Sequence, residues 1–389
     1  MKFLNQRLAR LSRRLDPLWW LAARALRLRP DARQGLAPRS ILVVDLHLLG
    51  DIVMLVPLLR VLRRCHPQAR LALVAGPWSR DVLAGEGLVD EWVLLQAPWV
   101  RRAPGSSGWR GVLAAVRRLR AAPDAWDWGI DVRGDVRNAL LLALARARRR
   151  VAFGFTGGAA LLTDVVPDDG VPAHIVAHHA TIARPLGMDM TAAEATPTLT
   201  APPAGAAALR NRIGFHFGAS MPLRRMPLAE ACDLLLRVIA ETQPDADLYL
   251  VDAPDTRELN GAVLARLAVA PGRRLRRWEG DLAALKALLA QTHRFYAVDS
   301  GPAHLAAALG AETFVFFGPT LPVESRPLGP RVHVIERTDL GCRPCDRIHC
   351  TNPRYQECLT QVVRLLEPAG RLPAGGGDAV PLRAAPPAP

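Results

Sequence analysis

The chain has 389 residues, of which half are hydrophobic and 22% are charged, a composition typical of a folded protein with room for two domains. Its net charge of +14 is concentrated at the amino terminus, where residues 1–40 hold ten basic and two acidic side chains. Because the excess charge lies in this segment, and because no RNP, helix-turn-helix or C₂H₂ pattern occurs, we expect no nucleic-acid partner.

Residues 1–39 are predicted to form a basic amphipathic arm. Such a helix lies either on an anionic membrane surface or against its own domain, and the sequence leaves both open. No apolar run reaches the roughly 18 to 20 residues of a transmembrane helix, and the uncharged stretch 17–23 is too short for a signal peptide. We therefore expect a cytoplasmic protein, peripheral on the inner membrane if the arm binds lipid. Five leucines of the arm recur at helical spacing: Leu4, Leu8, Leu11, Leu15 and Leu18.

Strands and helices alternate after the arm. Residues 40–200 are predicted to form a Rossmann-like amino-terminal domain with a parallel sheet covered by helices, since buried strands that alternate with helices build βαβ units. The predicted strands are "SILVVDL", "ARLALVAG", "DEWVLL" and "WDWGIDVRG", and the predicted helices are "DIVMLVPLLRVLRRC" and "RNALLLALARARRR".

A second alternating set follows a Pro/Ala-rich linker near residues 196–210. Residues 201–365 are predicted to form the second Rossmann-like domain, with helices near 227–241, 256–267 and 281–291. Residues 366–389 are of low complexity and are predicted to be disordered. Two such halves favour a ligand in the cleft between them, at the carboxyl ends of the strands.

The stretch "AVDSGPAHLAAALG", residues 297–310, is predicted to join a buried strand over 294–299 to a helix. We expect Asp299 or Ser300 at the N-cap, where a side-chain oxygen accepts a hydrogen bond from an orphan N–H. The amino end of that helix is suited to bind an anion. From the local pattern alone, an ordinary capped helix is the preferred interpretation.

The first strand-to-helix turn, "DLHLLGDI", lacks G-x-G-x-x-G, which argues against a nicotinamide cofactor. Gly50 is expected to allow a close backbone turn. Asp51 is open to two interpretations: an acid that stabilises the helix start, or a carboxylate that accepts a proton from a bound hydroxyl.

Four of the six cysteines fall within a short carboxyl-terminal stretch with the spacing C-x2-C-x4-C-x7-C. In a cytoplasmic chain this favours a metal over disulfides, as structural zinc or an iron–sulfur cluster. The alternative is that thiols or disulfides brace a loop. The candidate ligands are Cys342, Cys345, Cys350 and Cys358.

Several segments in collinear order over roughly residues 40–365 resemble glycosyltransferase family 9, the lipopolysaccharide heptosyltransferases. They include "ILVVDLHLLGDIVMLVPLLRVLRRCHPQARLALVAG", "GFHFGASMPLRRMP" and "AVDSGPAHLAAALGAETFVFFGPT". The resemblance implies a GT-B fold, in which the first Rossmann-like domain binds the acceptor and the second binds a nucleotide-sugar. It also implies inverting transfer, typically from ADP-heptose, without an obligatory metal or other cofactor.

Site residues follow from the same resemblance. Asp51 matches the catalytic base of the family's G-D motif, beside Gly50. Arg224 takes the place of a phosphate-contacting lysine, and arginine offers a two-pronged fork in place of a point charge. The remaining candidates for donor binding are Ser220, Asp299, Ser300, Gly301, Pro302 and His304, the last of which is equally well explained as a packed histidine.

Departures from the family pattern keep two other functions open. Met226 replaces the usual tryptophan near the phosphate turn, and "HLLGD" precedes the first helix where the family often has a small polar residue or isoleucine before G-D. From the resemblance, the chain is expected to transfer heptose to a lipopolysaccharide-core or other lipid-linked acceptor. The alternatives are a relative with another nucleotide-sugar and acceptor, or a non-catalytic homologue that binds a glycan or protein partner.

Overall fold

The structure is a computed structural model that describes residues 16–17, 37–100, 107–168, 170–202, 211–254, 256–267, 275–345 and 349–366. The chain divides into two compact units, with the boundary between Ala195 and Thr196. We call them unit 1 and unit 2.

Unit 1 contains a six-stranded sheet in the order β3-β2-β1-β4-β5-β6, in which every paired strand is parallel to its neighbour. This is the strand order of the dinucleotide-binding Rossmann fold, and the order reverses between β1 and β4. All six residues of β1 are buried, as expected for a central strand covered on both faces. The strands are β1 (Ser40–Asp45), β2 (Arg70–Ala75), β3 (Glu91–Leu94), β4 (Trp128–Asp131), β5 (Arg149–Phe153) and β6 (Asp164–Val166).

Helices connect these strands. The longest, α1, begins one residue before Gly50 and includes Pro57. It carries eleven buried residues and packs against α5. The helices of unit 1 are α1 (Leu49–Cys65), α2 (Ser79–Val82), α3 (Gly108–Arg120), α4 (Val136–Leu144) and α5 (Ile175–Ala183).

Unit 2 repeats the same topology. Its sheet has the order β12-β11-β10-β7-β8-β9 and is parallel throughout, so the order reverses between β7 and β10. The strands are β7 (Arg212–His216), β8 (Asp247–Val251), β9 (Leu275–Trp278), β10 (Arg294–Val298), β11 (Glu312–Phe317) and β12 (Val332–Glu336).

The helices of unit 2 in the described residues are α6 (Leu228–Glu241), α7 (Arg257–Leu267), α8 (Leu282–Leu289), α9 (Gly301–Ala308) and α10 (Pro322–Ser325). The first four begin close to the predicted positions, and α10 was not predicted. Aromatic side chains fill the core beside β7 and β10, where Phe215 stacks on Tyr296 and Tyr296 stacks on Phe314. The prediction of two Rossmann-like parallel sheets is thus confirmed.

One predicted helix is wrong in its second half. The segment "RNALLLALARARRR" is helical up to Leu144, and β5 then begins at Arg149. The chain leaves the helix through Arg146, whose φ of +63° no helix continues. Arg150 lies buried in β5, where its Nη1 donates to the Ala147 carbonyl oxygen at 2.7 Å. Tertiary contacts therefore override the helical propensity of the arginine-rich run.

Two predicted segments lie largely outside the described residues: the arm over 1–39, of which 16–17 and 37–39 are described, and the tail after residue 366. Within the described part of the chain, we find no helix whose length and apolar character would let it span a bilayer.

Candidate functional site

Unit 1 concentrates charge at its topological switch point, the place where open α/β sheets bind ligands. Asp45 is the last residue of β1, and Arg133 follows the neighbouring strand β4. Both side chains are almost completely buried, and Arg133 Nε lies 3.1 Å from Asp45 Oδ1. A buried charge is tolerated when it is paired and hydrogen-bonded, which this contact provides.

Asp51 joins this pair. It is the third residue of α1, and one oxygen, Oδ2, accepts a hydrogen bond from the Leu48 backbone N–H at 3.0 Å. The other oxygen, Oδ1, lies 2.6 Å from Arg133 Nη2, and 17% of the side chain is exposed. The bond to Leu48 is the helix-start role anticipated from sequence, and the contact with Arg133 is an additional one. Gly50 lies inside the first turn of α1, so the expectation of a special backbone turn at Gly50 is wrong.

The guanidinium of Arg133 controls the ionisation of Asp51. Burial by itself would raise the pKa of Asp51, but the positive charge of Arg133, helped by His47, holds the pKa below its ordinary value. The same balance holds the pKa of Asp45 well below its usual range. Two carboxylates around one arginine raise the pKa of Arg133 in return, even though burial opposes this. Asp51 is therefore a carboxylate at neutral pH.

His179 supports the cluster of Asp45, Asp51 and Arg133 from α5. It is fully buried in α5, and its Nδ1 lies 3.1 Å from the Met54 carbonyl oxygen of α1. Burial, reinforced by the charge of Arg133, lowers the pKa of His179 to about 4. The ring is thus neutral at pH 7 and donates its Nδ1–H to that carbonyl, since a carbonyl oxygen only accepts. This bond ties the helix that carries Asp51 to α5.

Another buried acid, Asp131, is the last residue of β4. Asp131 accepts hydrogen bonds from the backbone N–H of Arg133 at 3.0 Å and from Asn138 Nδ2 at 2.9 Å. Burial nevertheless raises the pKa of Asp131 to about 7. Because its oxygens accept from the loop that carries Arg133, we assign Asp131 to the placement of that arginine.

Unit 2 has a corresponding site at its own switch point, between β7 and β10. Ser300 occupies the N-cap position of α9, as predicted, but its side chain makes no capping hydrogen bond. The Ser300 Oγ lies instead 3.1 Å from Nδ1 of His216, the last residue of β7. The expected side-chain cap is therefore wrong, because a buried histidine on the neighbouring strand bonds the hydroxyl.

Arg224 reaches the same place from the turn after β7. Its Nη1 lies 3.0 Å from Asp299 Oδ2, and Thr320 Oγ1 donates to that oxygen at 2.7 Å. Within the described residues, the buried Nε of Arg224 has no hydrogen-bond partner. A partly satisfied guanidinium beside the positive end of a helix suits an anionic ligand such as a phosphate.

The other predicted donor-binding residues surround this point. Gly301 and Pro302 begin α9 and are half-buried, so their backbone forms the helix terminus itself. Ser220 is exposed in the turn after β7. His304 is buried one turn into α9, as the packed-histidine interpretation requires. The structure therefore brings Arg224, Asp299 and Ser300 together, whereas Asp51 belongs to unit 1.

The four carboxyl-terminal cysteines line one small surface cavity, and all are free thiols. Burial raises the pKa of the Cys358 thiol to about 11. Among the described residues, which omit 346–348, no group of three or more histidine, cysteine, aspartate or glutamate side chains is arranged to hold a metal ion. The arrangement of Cys342, Cys345, Cys350 and Cys358 thus gives no support to the predicted zinc or iron–sulfur site.

Sequence reasoning missed Arg133, Asp45, His179 and His216. One signal was present: Asp45, Arg133 and His216 each stand at or just after the end of a strand that flanks a switch point. Charged or titratable residues at those positions are candidates for ligand binding in any doubly wound sheet. His179 gave no such signal, because a histidine within an apolar helix looks the same whether or not it supports a site.

Comparison with known proteins shows which family and which fold the chain resembles. The sequence model described as "Glycosyltransferase family 9 (heptosyltransferase)" matches residues 278–356, which include α9, so the resemblance to this family is confirmed. No curated protein sequence matches the chain. The family match, over residues 278–356, and the fold together indicate a glycosyltransferase.

Solved structures share the fold at low sequence identity. Escherichia coli ADP-heptose LPS heptosyltransferase II is 22% identical with a TM-score of 0.64, over 84% of this chain and 97% of that one. A family 9 glycosyltransferase from Veillonella parvula is 18% identical with a TM-score of 0.65, over 79% and 89%. E. coli heptosyltransferase WaaC with ADP is 19% identical with a TM-score of 0.62, over 84% and 98%. The two parallel sheets therefore have the GT-B fold.

Proposed function

We propose that this chain, with its family 9 segment, is an inverting glycosyltransferase that moves heptose from ADP-heptose onto a lipopolysaccharide core or another lipid-linked glycan. The observation that carries the proposal is the Asp51 carboxylate, held ionised by Arg133 at the switch point of unit 1. WaaC has been solved with ADP and with ADP-2-deoxy-2-fluoro heptose, which supports an ADP-linked donor.

Asp51 takes the role of general base. The acceptor hydroxyl attacks the anomeric carbon of the donor, and its proton passes to the Asp51 carboxylate. The lowered pKa of Asp51 reduces its basic strength, but it keeps the carboxylate available over the physiological pH range. The hydroxyl becomes acidic as its oxygen bonds to carbon, so a weak base is sufficient late in the step. General-base assistance of this kind contributes about 10²- to 10⁴-fold.

Unit 2 supplies the groups that we propose stabilise the leaving group. As the bond between the anomeric carbon and the diphosphate oxygen breaks, its electron pair remains on the diphosphate. Arg224 and the amino end of α9 at Ser300-Gly301-Pro302 supply positive potential there. Ser220 adds a hydroxyl within reach of the same turn. These groups supply the charge that a metal provides in other transferases, so the proposed reaction needs none.

The acceptor and the location are part of the proposal. A lipid-linked glycan is reached from the cytoplasmic face of the inner membrane, where the basic residues 1–39 would meet anionic lipid. Co-sedimentation of the full chain with anionic vesicles, compared with a chain lacking residues 1–39, tests this part. Loss of the difference in high salt would identify the attachment as electrostatic.

The test of the catalytic proposal is Asp51→Asn assayed for transfer from ADP-heptose. We expect kcat to fall by about 10² or more, with donor affinity unchanged, because the amide cannot accept the proton. The control is Asp164→Asn, which removes another partly buried carboxylate of unit 1, one paired with Arg149. Wild-type transfer by the Asp51→Asn chain would overturn the role of Asp51.

A donor screen distinguishes the two alternatives. If the wild-type chain is stabilised against heat by, and transfers from, another nucleotide-sugar and not ADP-heptose, it is a family relative with a different donor. If it turns over no donor but binds a glycan, the non-catalytic alternative replaces the proposal.

A further inference from the structure

Helix α3 presents an unusual combination of side chains to solvent. Its inner face is buried through Ala115, Val116 and Leu119. On the side of the helix next to this face, Trp109 is 66% exposed and Leu113, one turn later, is 55% exposed. A tryptophan is rarely so exposed on a protein without a partner, since it leaves a large apolar surface in water.

The same helix is strongly cationic. It contains four arginines and no acidic residue: Arg110, Arg117, Arg118 and Arg120. In the described part of the chain, Arg118 lies 3.7 Å from Glu91, and the other three have no acid within ion-pair distance. Trp109 and Leu113 thus share one helix with three arginines that have no acidic partner among the described residues.

The patch extends beyond α3. The ring of Trp99 lies 5.6 Å from that of Trp109, and the Arg137 guanidinium lies 5.3 Å above Trp99. The charge of Arg137 is itself paired with Asp135, so the unpaired positive charge of the patch comes from α3. Trp99 belongs to the loop after β3, and Arg137 belongs to the first turn of α4, which follows β4. These residues therefore stand at the carboxyl-terminal edge of the sheet in unit 1, the edge at which Asp51 and Arg133 also stand.

We propose that this tryptophan–arginine face of unit 1, formed by Trp99, Trp109, Leu113 and the arginines around them, docks on a bilayer that contains anionic lipid. Amphipathic tryptophan rings prefer the boundary between lipid headgroups and acyl chains, and arginines around them attract anionic headgroups. An acidic protein partner is the competing occupant, and it predicts no protection of Trp109 by vesicles. The docked face would hold a lipid-linked glycan at the edge that carries Asp51.

The experiment is hydroxyl-radical footprinting of the full chain with vesicles of phosphatidylcholine, with and without phosphatidylglycerol. Tyr355 of unit 2 is a matched reference, since it is 64% exposed against 66% for Trp109. We expect oxidation of Trp109 to slow by about threefold or more with anionic vesicles, whereas oxidation of Tyr355 is unchanged. Neutral vesicles should protect neither residue.

A variant confirms the source of binding. Trp109→Ala combined with Leu113→Ala should weaken co-sedimentation with anionic vesicles by about tenfold, whereas Leu236→Ala, at an exposed leucine of α6, should not. An equally reactive Trp109 in chains that sediment with vesicles would overturn the proposal. So would protection that depends on protein concentration without lipid, which would indicate self-association. No donor is present, so failure here is separate from failure of the transferase proposal.

Discussion

The guanidinium of Arg133 lies 2.6 Å from the Asp51 carboxylate and 3.1 Å from that of Asp45, so a single buried cation serves two acids on the neighbouring β1–α1 segment. Asp45 neutralises the charge that Arg133 would otherwise carry alone into the interior. Asp51 is the more accessible of the two acids, since 17% of its side chain is exposed. Arg133 is therefore a positioning residue for the proposed base.

Replacement of Arg133 by lysine should change the pH dependence of transfer. A lysine keeps the charge but lacks the fork that reaches both carboxylates. The attraction that lowers the pKa of Asp51 should therefore weaken, and burial should raise that pKa. We expect the acidic limb of the kcat/KM profile to move upward by about one pH unit. Arg149→Lys, at another arginine–aspartate pair of unit 1, is the control and should leave the profile in place. A profile that keeps its midpoint while only its height falls would indicate a merely structural role for Arg133.

Local sequence pattern predicted the secondary structure well because apolar periodicity and helix starts are local properties. The strand over 294–298 and the N-cap at Ser300 follow from a few adjacent residues. The hydrogen bond of Ser300 was not predictable in this way, since its partner His216 is 84 residues distant. Arg133 and Asp45, 88 residues apart, are likewise brought together by the pairing of β1 with β4 alone. Some residues of a site, such as Asp51 and Ser300, can be predicted from local sequence, whereas contacts between residues distant in the chain require the strand order.

Arg224→Ala should weaken the binding of the donor and not only slow the chemical step. Its guanidinium is the cation beside Ser300, and a charge-assisted hydrogen bond to phosphate is worth about 1.5–3 kcal/mol. We expect the Kd for ADP to rise by about 10- to 100-fold, as measured by titration calorimetry. Arg224→Lys should recover part of this loss as a point charge.

Arg225→Ala is the matched control for Arg224, because the Arg225 Nε donates to the Ala219 carbonyl oxygen of the same turn at 3.1 Å. It should alter ADP binding much less than Arg224→Ala does. Equal losses in both variants would mean that the turn, and not the Arg224 charge, determines affinity.

His179 should make unit 1 sensitive to acid. Its pKa falls from 6.5 to about 4 on folding, so the unfolded chain binds a proton that the folded chain does not. The stability that neutral His179 contributes is complete above pH 6.5 and is lost as the pH falls toward 4, by about 3 kcal/mol. The raised pKa of Asp131, about 7, makes the stability change with pH in the opposite direction. This effect is the same in the wild type and in a variant at His179, so it cancels when the two are compared.

The comparison is between the wild type and His179→Asn, whose amide can still donate to the Met54 carbonyl. Urea denaturation at several pH values should show a steeper loss of stability below pH 6.5 in the wild type. His349→Asn, at an exposed histidine of unit 2, should retain the wild-type slope. Parallel slopes for wild type and His179→Asn would show that His179 is protonated as easily in the folded chain as in the unfolded one.

Close packing beneath the donor site gives a final prediction. Gly214 lies in β7, two residues before His216, and a Cβ added there would lie 2.4 Å from the Tyr249 ring and 2.8 Å from that of Phe295. Both rings are fully buried, so neither can withdraw without opening the core. Gly214→Ala should destabilise unit 2 by about 1–3 kcal/mol, as overpacking does.

Gly261 provides the opposite case with the same substitution. It lies within α7, and nothing would lie within 4 Å of an added Cβ. Gly261→Ala should stabilise the unit by about 0.5–1 kcal/mol, because alanine loses less backbone entropy in a helix. Thermal unfolding of both variants measures the contrast. Similar melting temperatures for the two chains would show that β7 shifts to admit the methyl group, and His216 would then have freedom to move relative to Ser300.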